Sequence, residues 1–176
     1  MYSPISPADL SKFKMIWAFI TLSCIFGMAY ALYSQYIGGL EPCNLCMLQR
    51  GSMTLLGGIS LIALLHAPRS KPIHCIYILL ADLAALSGAI LAARHVWLQH
   101  LPKDQVPACG PNFDYLVGNF PIMEVIQEIF QGSGQCAEIS WQLFGFSMPE
   151  VLLVVFIGLT LLCSLLFVML FKRPKA

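Results

Sequence analysis

Four long apolar runs constrain this chain more than any other feature: Met15 to Ile37, Leu45 to Leu65, Ile73 to Ala93 and Val151 to Phe171. A helix rises about 1.5 Å per residue, so roughly 20 apolar residues cross the hydrocarbon core of a bilayer. Each run is long enough. The first and last carry no charge, the second carries only Arg50, and Asp82 is the single acid or base of the third apart from His74. With 11% charged residues in all, against about a quarter in soluble domains, an ordinary soluble fold is excluded. The pattern predicts an all-α membrane protein: one domain over 1–176, a bundle of four transmembrane helices, and a long loop over about 94–150.

The basic residues outside the runs give the orientation. Lys12 and Lys14 precede the first run, Arg69 and Lys71 join the second to the third, and Lys172, Arg173 and Lys175 follow the fourth. With four spans these places share one face, which the positive-inside rule assigns to the cytoplasm. Glu41, Asp104, Asp114, Glu124, Glu128, Glu138 and Glu150 all fall on the other face. The net charge of +1 hides this sorting, and no basic stripe suggests nucleic acid. Lys12, Lys14 and Ala29-Tyr30-Ala31 also suit a cleaved signal peptide, but the run between them exceeds the usual 7 to 15 residues of such a segment.

The topology divides seven cysteines into two kinds. Cys24, Cys75 and Cys163 fall within or at the inner edge of spans and read as small buried hydrophobes. Cys43, Cys46, Cys109 and Cys136 fall on or beside the non-cytoplasmic face, where disulfides persist. For Cys109 and Cys136 a structural staple across a long loop is one reading. The Cys43-x-x-Cys46 pair suits a bond that is made and broken. A helix N-terminus and a nearby cation both favour thiolate there, and Arg50 lies one turn after Cys46. A four-cysteine zinc site is a further reading, although the second pair lacks the usual knuckle spacing. Met47 after Cys46 excludes c-type haem attachment. Near the start of its span Arg50 has a bland reading, a side chain that snorkels to the interface; but an intramembrane arginine is functional by default, and Arg50 could hold a thiolate or the charge developing on an oxidant in the lipid.

The ordered set "PCNLCMLQR" (42–50), "RHVWLQHLP" (94–102), "PACGPNFDYL" (107–116) and "GSGQCAEISWQLFGFSMPE" (132–150), together with four spans, resembles the DsbB family over essentially the whole chain. That family comprises inner-membrane quinone reductases that reoxidise a periplasmic thiol oxidase, a relay known to keep the bacterial periplasm oxidising. The resemblance implies that Cys43 and Cys46 are the membrane-edge pair, Cys46 engaging quinone and Cys43 exchanging with the loop. It implies that Cys109 receives attack from a DsbA-like partner and that Cys136 is its mate. Arg50 and His95 are implied at the site of a quinone, ubiquinone or menaquinone. An interfacial histidine with no special role is the other reading of His95.

Two further expectations concern the rest of the chain. "FPIMEVIQEIF" (120–130) places Ile122, Val125, Ile126 and Ile129 at helical spacing, as in a short amphipathic helix on the bilayer surface, ended by Gly132 and Gly134. Asp82 maps to no family role and reads as a neutral acid in helix packing or as a proton relay; Arg94 reads as an interfacial anchor. A reductase running in the opposite direction, like the vitamin K epoxide reductase relatives, and a stapled scaffold or metal carrier remain as other functional classes.

Overall fold

The computed structural model describes residues 5–102, 104–108, 110–111, 113–139, 141–143 and 145–171. Four long helices carry the fold: α1 (Pro7–Tyr36), α2 (Asn44–His66), α3 (Lys71–Gln99) and, after the loop, α7 (Met148–Phe171). All four are long and apolar enough to cross a membrane. In lipid every backbone polar group must be satisfied within the chain, which a helix achieves by itself. Large side chains such as Phe26, Leu65 and Val154 accordingly face outward along these helices.

The helix ends follow capping chemistry more than hydropathy. The first helix starts at Pro7, well before Met15, because Ser6 accepts the Asp9 N–H at 3.2 Å and proline occupies the first turn. Lys12 and Lys14 therefore lie within the helix. The third helix runs on to Gln99, because neither glycine nor proline intervenes between Ala93 and Pro102. The loop expected from about residue 94 thus begins later, and Arg94 and His95 are helical. Lys172, Arg173, Lys175 and Cys109 lie outside the described residues.

Helix α3 is the centre of the bundle. It packs against α2 on one side and α7 on the other, α2 also holds α1, and α1 barely touches α7. Its buried stripe runs His74, Ile78, Ala81, Ala85, Gly88, Ala92, His95, alternating steps of three and four. Small residues on such a stripe let neighbouring helices approach closely. The approach is tightest at Gly88, where a Cβ would stand 2.3 Å from Cε1 of Phe156 on α7. Paired hydroxyls add interhelical hydrogen bonds, Thr21 to Ser60 at 3.0 Å and Ser52 to Ser87 at 3.2 Å. At the basic end, buried His74 is fully partnered: Trp17 Nε1 donates to Nε2 and Nδ1 donates to Pro68 O.

Between α3 and α7 the loop forms α4 (Phe113–Asn119), α5 (Ile122–Gln131), α6 (Gly134–Ala137) and a hairpin of β1 (Gln142–Leu143) with antiparallel β2 (Phe146–Ser147), Gly145 taking the positive φ of the turn. Helix α5 matches the expected amphipathic segment, but its apolar residues divide. Val125 and Ile129 are buried in a cluster with Leu45, Leu98 and Leu116, whereas Ile122 and Ile126 face outward with Met123 and Phe130. The apolar face is wider than one contact surface, so it clamps the loop to the bundle and still presents an apolar side.

Gly88→Ala should lower the unfolding midpoint of the detergent-solubilised protein, by about 1–3 kcal/mol of overpacking against a rigid ring. Gly58→Ala, where a Cβ meets nothing within 4 Å, should leave it unchanged or raise it. Equal midpoints for the two variants would contradict the close α3–α7 contact.

Candidate redox site

Cys43 is the N-cap of α2, its Sγ accepting the Cys46 N–H at 3.4 Å. The Cys-x-x-Cys spacing makes this possible, since the N-cap side chain reaches the N–H of the third helical residue. The two sulfurs lie 2.9 Å apart, both cysteines being free. Helix α3 brings His95 to the same point, its Nε2 3.7 Å from Cys43 Sγ. Helix α6 brings Cys136, and the donor atoms of Cys43, His95 and Cys136 all lie within 4.8 Å of one another. Cys43 and Cys136 are buried, while Cys46 is half-buried.

Crowded sulfurs share protons unequally. Donation to Cys136 and to Cys46, then burial, push the Cys43 thiol above its ordinary value. Cys136 is lowered to about 5, first by the hydrogen bond from Cys43 and against burial, with backbone hydrogen bonds from Ser133 and Leu45 and the nearby His95 also favouring thiolate. The helix N-terminus and cation expected to favour thiolate throughout the pair are thus outweighed at Cys43 by its neighbours.

Arg50 stands one turn beyond Cys46, but its guanidinium turns toward α1, donating to Gln35 Oε1 and, at 3.0 Å, to Ala31 O. It shares a cavity of about 100 Å³ with Cys43, Cys46, Gln49 and His95. That cavity adjoins an apolar cleft of about 700 Å³ between α1 and α7, with Gly27, Ala31, Met53, Trp141, Met148 and Leu152 lining both. Cys24, Cys75 and Cys163 belong to or pack on a separate apolar cluster in the bundle core. Asp82 has one buried oxygen, Oδ1, without a hydrogen-bond partner among the described residues.

The loop is tied to this site on both sides of position 109. Pro111 O accepts from Asn44 Nδ2 at 3.0 Å, and Ala108 O accepts from Gly134 N at 3.3 Å. One tie reaches the residue after Cys43, the other a residue two before Cys136.

The comparisons with known proteins fit this arrangement. Residues 13–166 match the sequence model of the family described as "Disulfide bond formation protein DsbB". The chain belongs to the DsbB family. It is 45% identical over 152 residues to a disulfide bond formation protein B of Acinetobacter baumannii, covering 86% of this chain and 89% of that one. It is 41% identical over 172 residues, 95% of each chain, to that of Psychrobacter arcticus. Membership makes this DsbB-family chain a multi-pass membrane protein of disulfide bond formation, with a disulfide-forming oxidoreductase role.

Three residues at or beside the site escape a reading of motifs alone. Gln49, 1% exposed, places Nε2 3.3 Å from His95 Nδ1 while its Oε1 has no partner among the described residues. Its spacing from Cys46, three residues on one helix, is a signal that an amide shares the dithiol's neighbourhood. Gln35 partners Arg50. Arg94, read as an interfacial anchor, caps α5: Nε donates to Phe130 O at 3.1 Å and Nη2 to Gln131 O at 2.9 Å, with Trp97 4.2 Å beneath the guanidinium. Cations suit helix C-termini, and this one holds the segment that leads through Gly132 to Cys136. Gly132 itself, at φ +83, approaches Leu98 so closely that a Cβ would stand 2.3 Å from Cδ1.

Arg94→Ala should loosen that segment and raise the alkylation rate of Cys136 in the reduced protein on the order of tenfold, as expected for loss of charge-assisted hydrogen bonds. Arg94→Lys, which lacks the fork needed for two carbonyls, should fall between. Site-resolved mass spectrometry after maleimide pulses measures this; an unchanged Cys136 rate in Arg94→Ala would refute the clamp.

Proposed function

We propose that this DsbB-family protein reoxidises a periplasmic DsbA-like dithiol oxidase and delivers the electrons through Cys109/Cys136 and Cys43/Cys46 to a membrane quinone. In this reading it resides in the bacterial inner membrane as a single domain, both termini cytoplasmic and the long loop periplasmic. The observation that carries the reading is the meeting of Cys43, Cys46, Cys136 and His95 beside an apolar cleft open between α1 and α7.

Exchange between dithiols requires in-line sulfur contact. A thiolate of the partner attacks Cys109 of the Cys109–Cys136 disulfide; Cys136 leaves as thiolate, and the partner's second thiol then displaces Cys109, so the partner departs oxidised. Cys136 next attacks Cys43 Sγ of the Cys43–Cys46 disulfide, and Cys46 leaves with the electron pair. Attack by Cys109 on Cys136 restores the loop disulfide and leaves Cys43 and Cys46 reduced. Cys136 Sγ and Cys43 Sγ belong to one cluster of donor atoms within 4.8 Å of one another, which selects the sulfur attacked.

The residues at the cleft fit a quinone: polar groups at one end, apolar walls such as Phe19, Phe26, Val154 and Leu162 at the other. When bound, quinone supplies a lipid-soluble acceptor for two electrons and two protons. Cys46, half-buried at the cavity, is the sulfur presented to it. Arg50, fixed by Gln35 and Ala31, provides positive charge where negative charge develops. With Gln49 Nε2 donating to Nδ1, His95 carries its proton on Nε2, facing Cys43. It is therefore placed to hold a proton beside the dithiol. The walls of the cleft exclude water from the acceptor.

Anaerobic quinone reduction with a reduced DsbA-like partner tests the reading. The native chain should turn over with ubiquinone or menaquinone, and Cys46→Ser and Cys109→Ser should each abolish it. Absence of turnover in folded, thiol-intact protein would sink the quinone assignment. Gly158 lines the cleft and a Cβ there meets nothing, so Gly158→Phe should fill space and raise KM for a long-tailed quinone severalfold more than for a short-tailed one. An equal effect on both would place the tail elsewhere.

A further inference from the structure

Disulfide exchange needs two sulfurs in contact, yet the sulfurs of Cys43 and Cys136 meet with an imidazole between different elements of the fold. Cys43 caps α2, His95 comes from α3 and Cys136 from α6, all three are buried, and their donor atoms lie within 4.8 Å of one another. Two thiolates and an imidazole are the donors that borderline and soft cations select. Zinc bonds sulfur at about 2.3 Å and histidine nitrogen at about 2.0–2.1 Å, so donors around one tetrahedral ion stand roughly 3.5 Å apart. The Cys43 Sγ to His95 Nε2 separation is 3.7 Å.

A second observation comes from Gln49. A histidine that binds metal through one nitrogen donates its other N–H to a carbonyl or carboxylate. Gln49 Oε1 is a buried acceptor with no partner among the described residues, on the side chain whose Nε2 is 3.3 Å from His95 Nδ1. Half a turn about the Cγ–Cδ bond exchanges the two amide atoms within the same contact. Oε1 then accepts Nδ1–H, and the Nε2 lone pair faces the sulfurs. Glu41 and Glu138 line the adjoining cavity along with Arg50, so carboxylates stand on the path of an entering cation.

We propose that the reduced protein binds one thiophilic divalent cation of the zinc and cadmium class through Cys43 Sγ, Cys136 Sγ and His95 Nε2, with Gln49 Oε1 orienting the imidazole. Cys46 or water completes four-coordination. Any ligating sulfur still protonated loses its proton to solvent on binding, and no electron moves. A sulfur held in a disulfide has no thiolate charge to offer, so oxidation empties the site. A cation bound there withholds Cys43 and Cys136 from exchange and arrests the chain in its reduced form. The site needs only free thiols and is independent of the quinone assignment.

The test is anaerobic titration of the reduced, detergent-solubilised full chain with Zn²⁺ against a chromogenic chelator. One Zn²⁺ per chain is expected, with none after oxidation of the thiols. Cys136→Ser and His95→Phe should each weaken binding at least about tenfold. Gln49→Leu should weaken it about 10–100-fold and Gln49→Glu should restore it, whereas Cys24→Ala, in the separate core cluster, should leave the affinity unchanged. X-ray absorption of the zinc-loaded native protein, which depends on no variant, should give sulfur and nitrogen shells with at least two sulfurs and one imidazole. No binding at micromolar free Zn²⁺, equal affinity in Cys136→Ser, or a coordination shell without imidazole would overturn the proposal.

Discussion

The redox site hangs from one face of α3. The stripe from His74 through Ala81, Ala85, Gly88 and Ala92 to His95 repeats at the spacing that keeps a seam toward neighbouring helices. Its small residues let α2 and α7 close on α3. In a bilayer this contact cannot draw on the hydrophobic effect, because lipid tails are as apolar as leucine; packing and interhelical hydrogen bonds must supply the association. Gly88 against Phe156 and Ser52 against Ser87 are those contributions. Because α2 and α3 are locked in register, the N-cap of one and the last turns of the other meet, and Cys43 faces His95.

That meeting falls where the helices leave the apolar core, a position with opposing demands. In the proposed relay, exchange with a water-borne partner calls for thiols near the surface, whereas a lipid-borne acceptor calls for a site open to the bilayer. The loop reconciles them by folding back. Val125 and Ile129 of α5 pack with Leu45 and Leu98, Arg94 holds the end of α5, and Asn44 holds Pro111. Cys136 is thereby buried against Cys43 although it belongs to a segment outside the spans. The hydrogen bonds between the crowded sulfurs distribute their protons, raising Cys43 and lowering Cys136 against its burial.

Hydropathy located the four spans because it measures depth in lipid, and for α2, bounded by helix-capping Cys43 and left-handed Ala67, the run and the helix agree within a residue at each end. It understated α1 and α3, since helical hydrogen bonding continues through Lys12, Lys14, Arg94 and His95 after the apolar run stops. Cys43, Cys46, Cys136, Arg50 and His95 stood out as motif residues, and the fold brings them to one neighbourhood. Gln49 was not, because a glutamine between leucine and arginine has no distinctive pattern until α3 sets His95 against it. The hold of Arg94 on α5 was not legible for a related reason: its partners lie 36 and 37 positions away in a loop whose docking no local periodicity encodes.

The weak seam between α1 and α7 completes the logic of the fold. Three helix pairs are tightly packed, and a fourth tight pair would close the bundle and seal the cavity beside Cys46. Instead α1 is held through α2, by Thr21 to Ser60 and by Arg50 to Gln35 and Ala31. Arg50 therefore connects stability with access: the guanidinium that fixes α1 to α2 also forms the polar end of the opening. Its burial at the membrane edge is tolerated because a carbonyl and an amide oxygen receive its N–H groups. An arginine satisfied in this way can stand at the lipid boundary without bare N–H groups, which is what the proposed action on an acceptor from the bilayer asks of it.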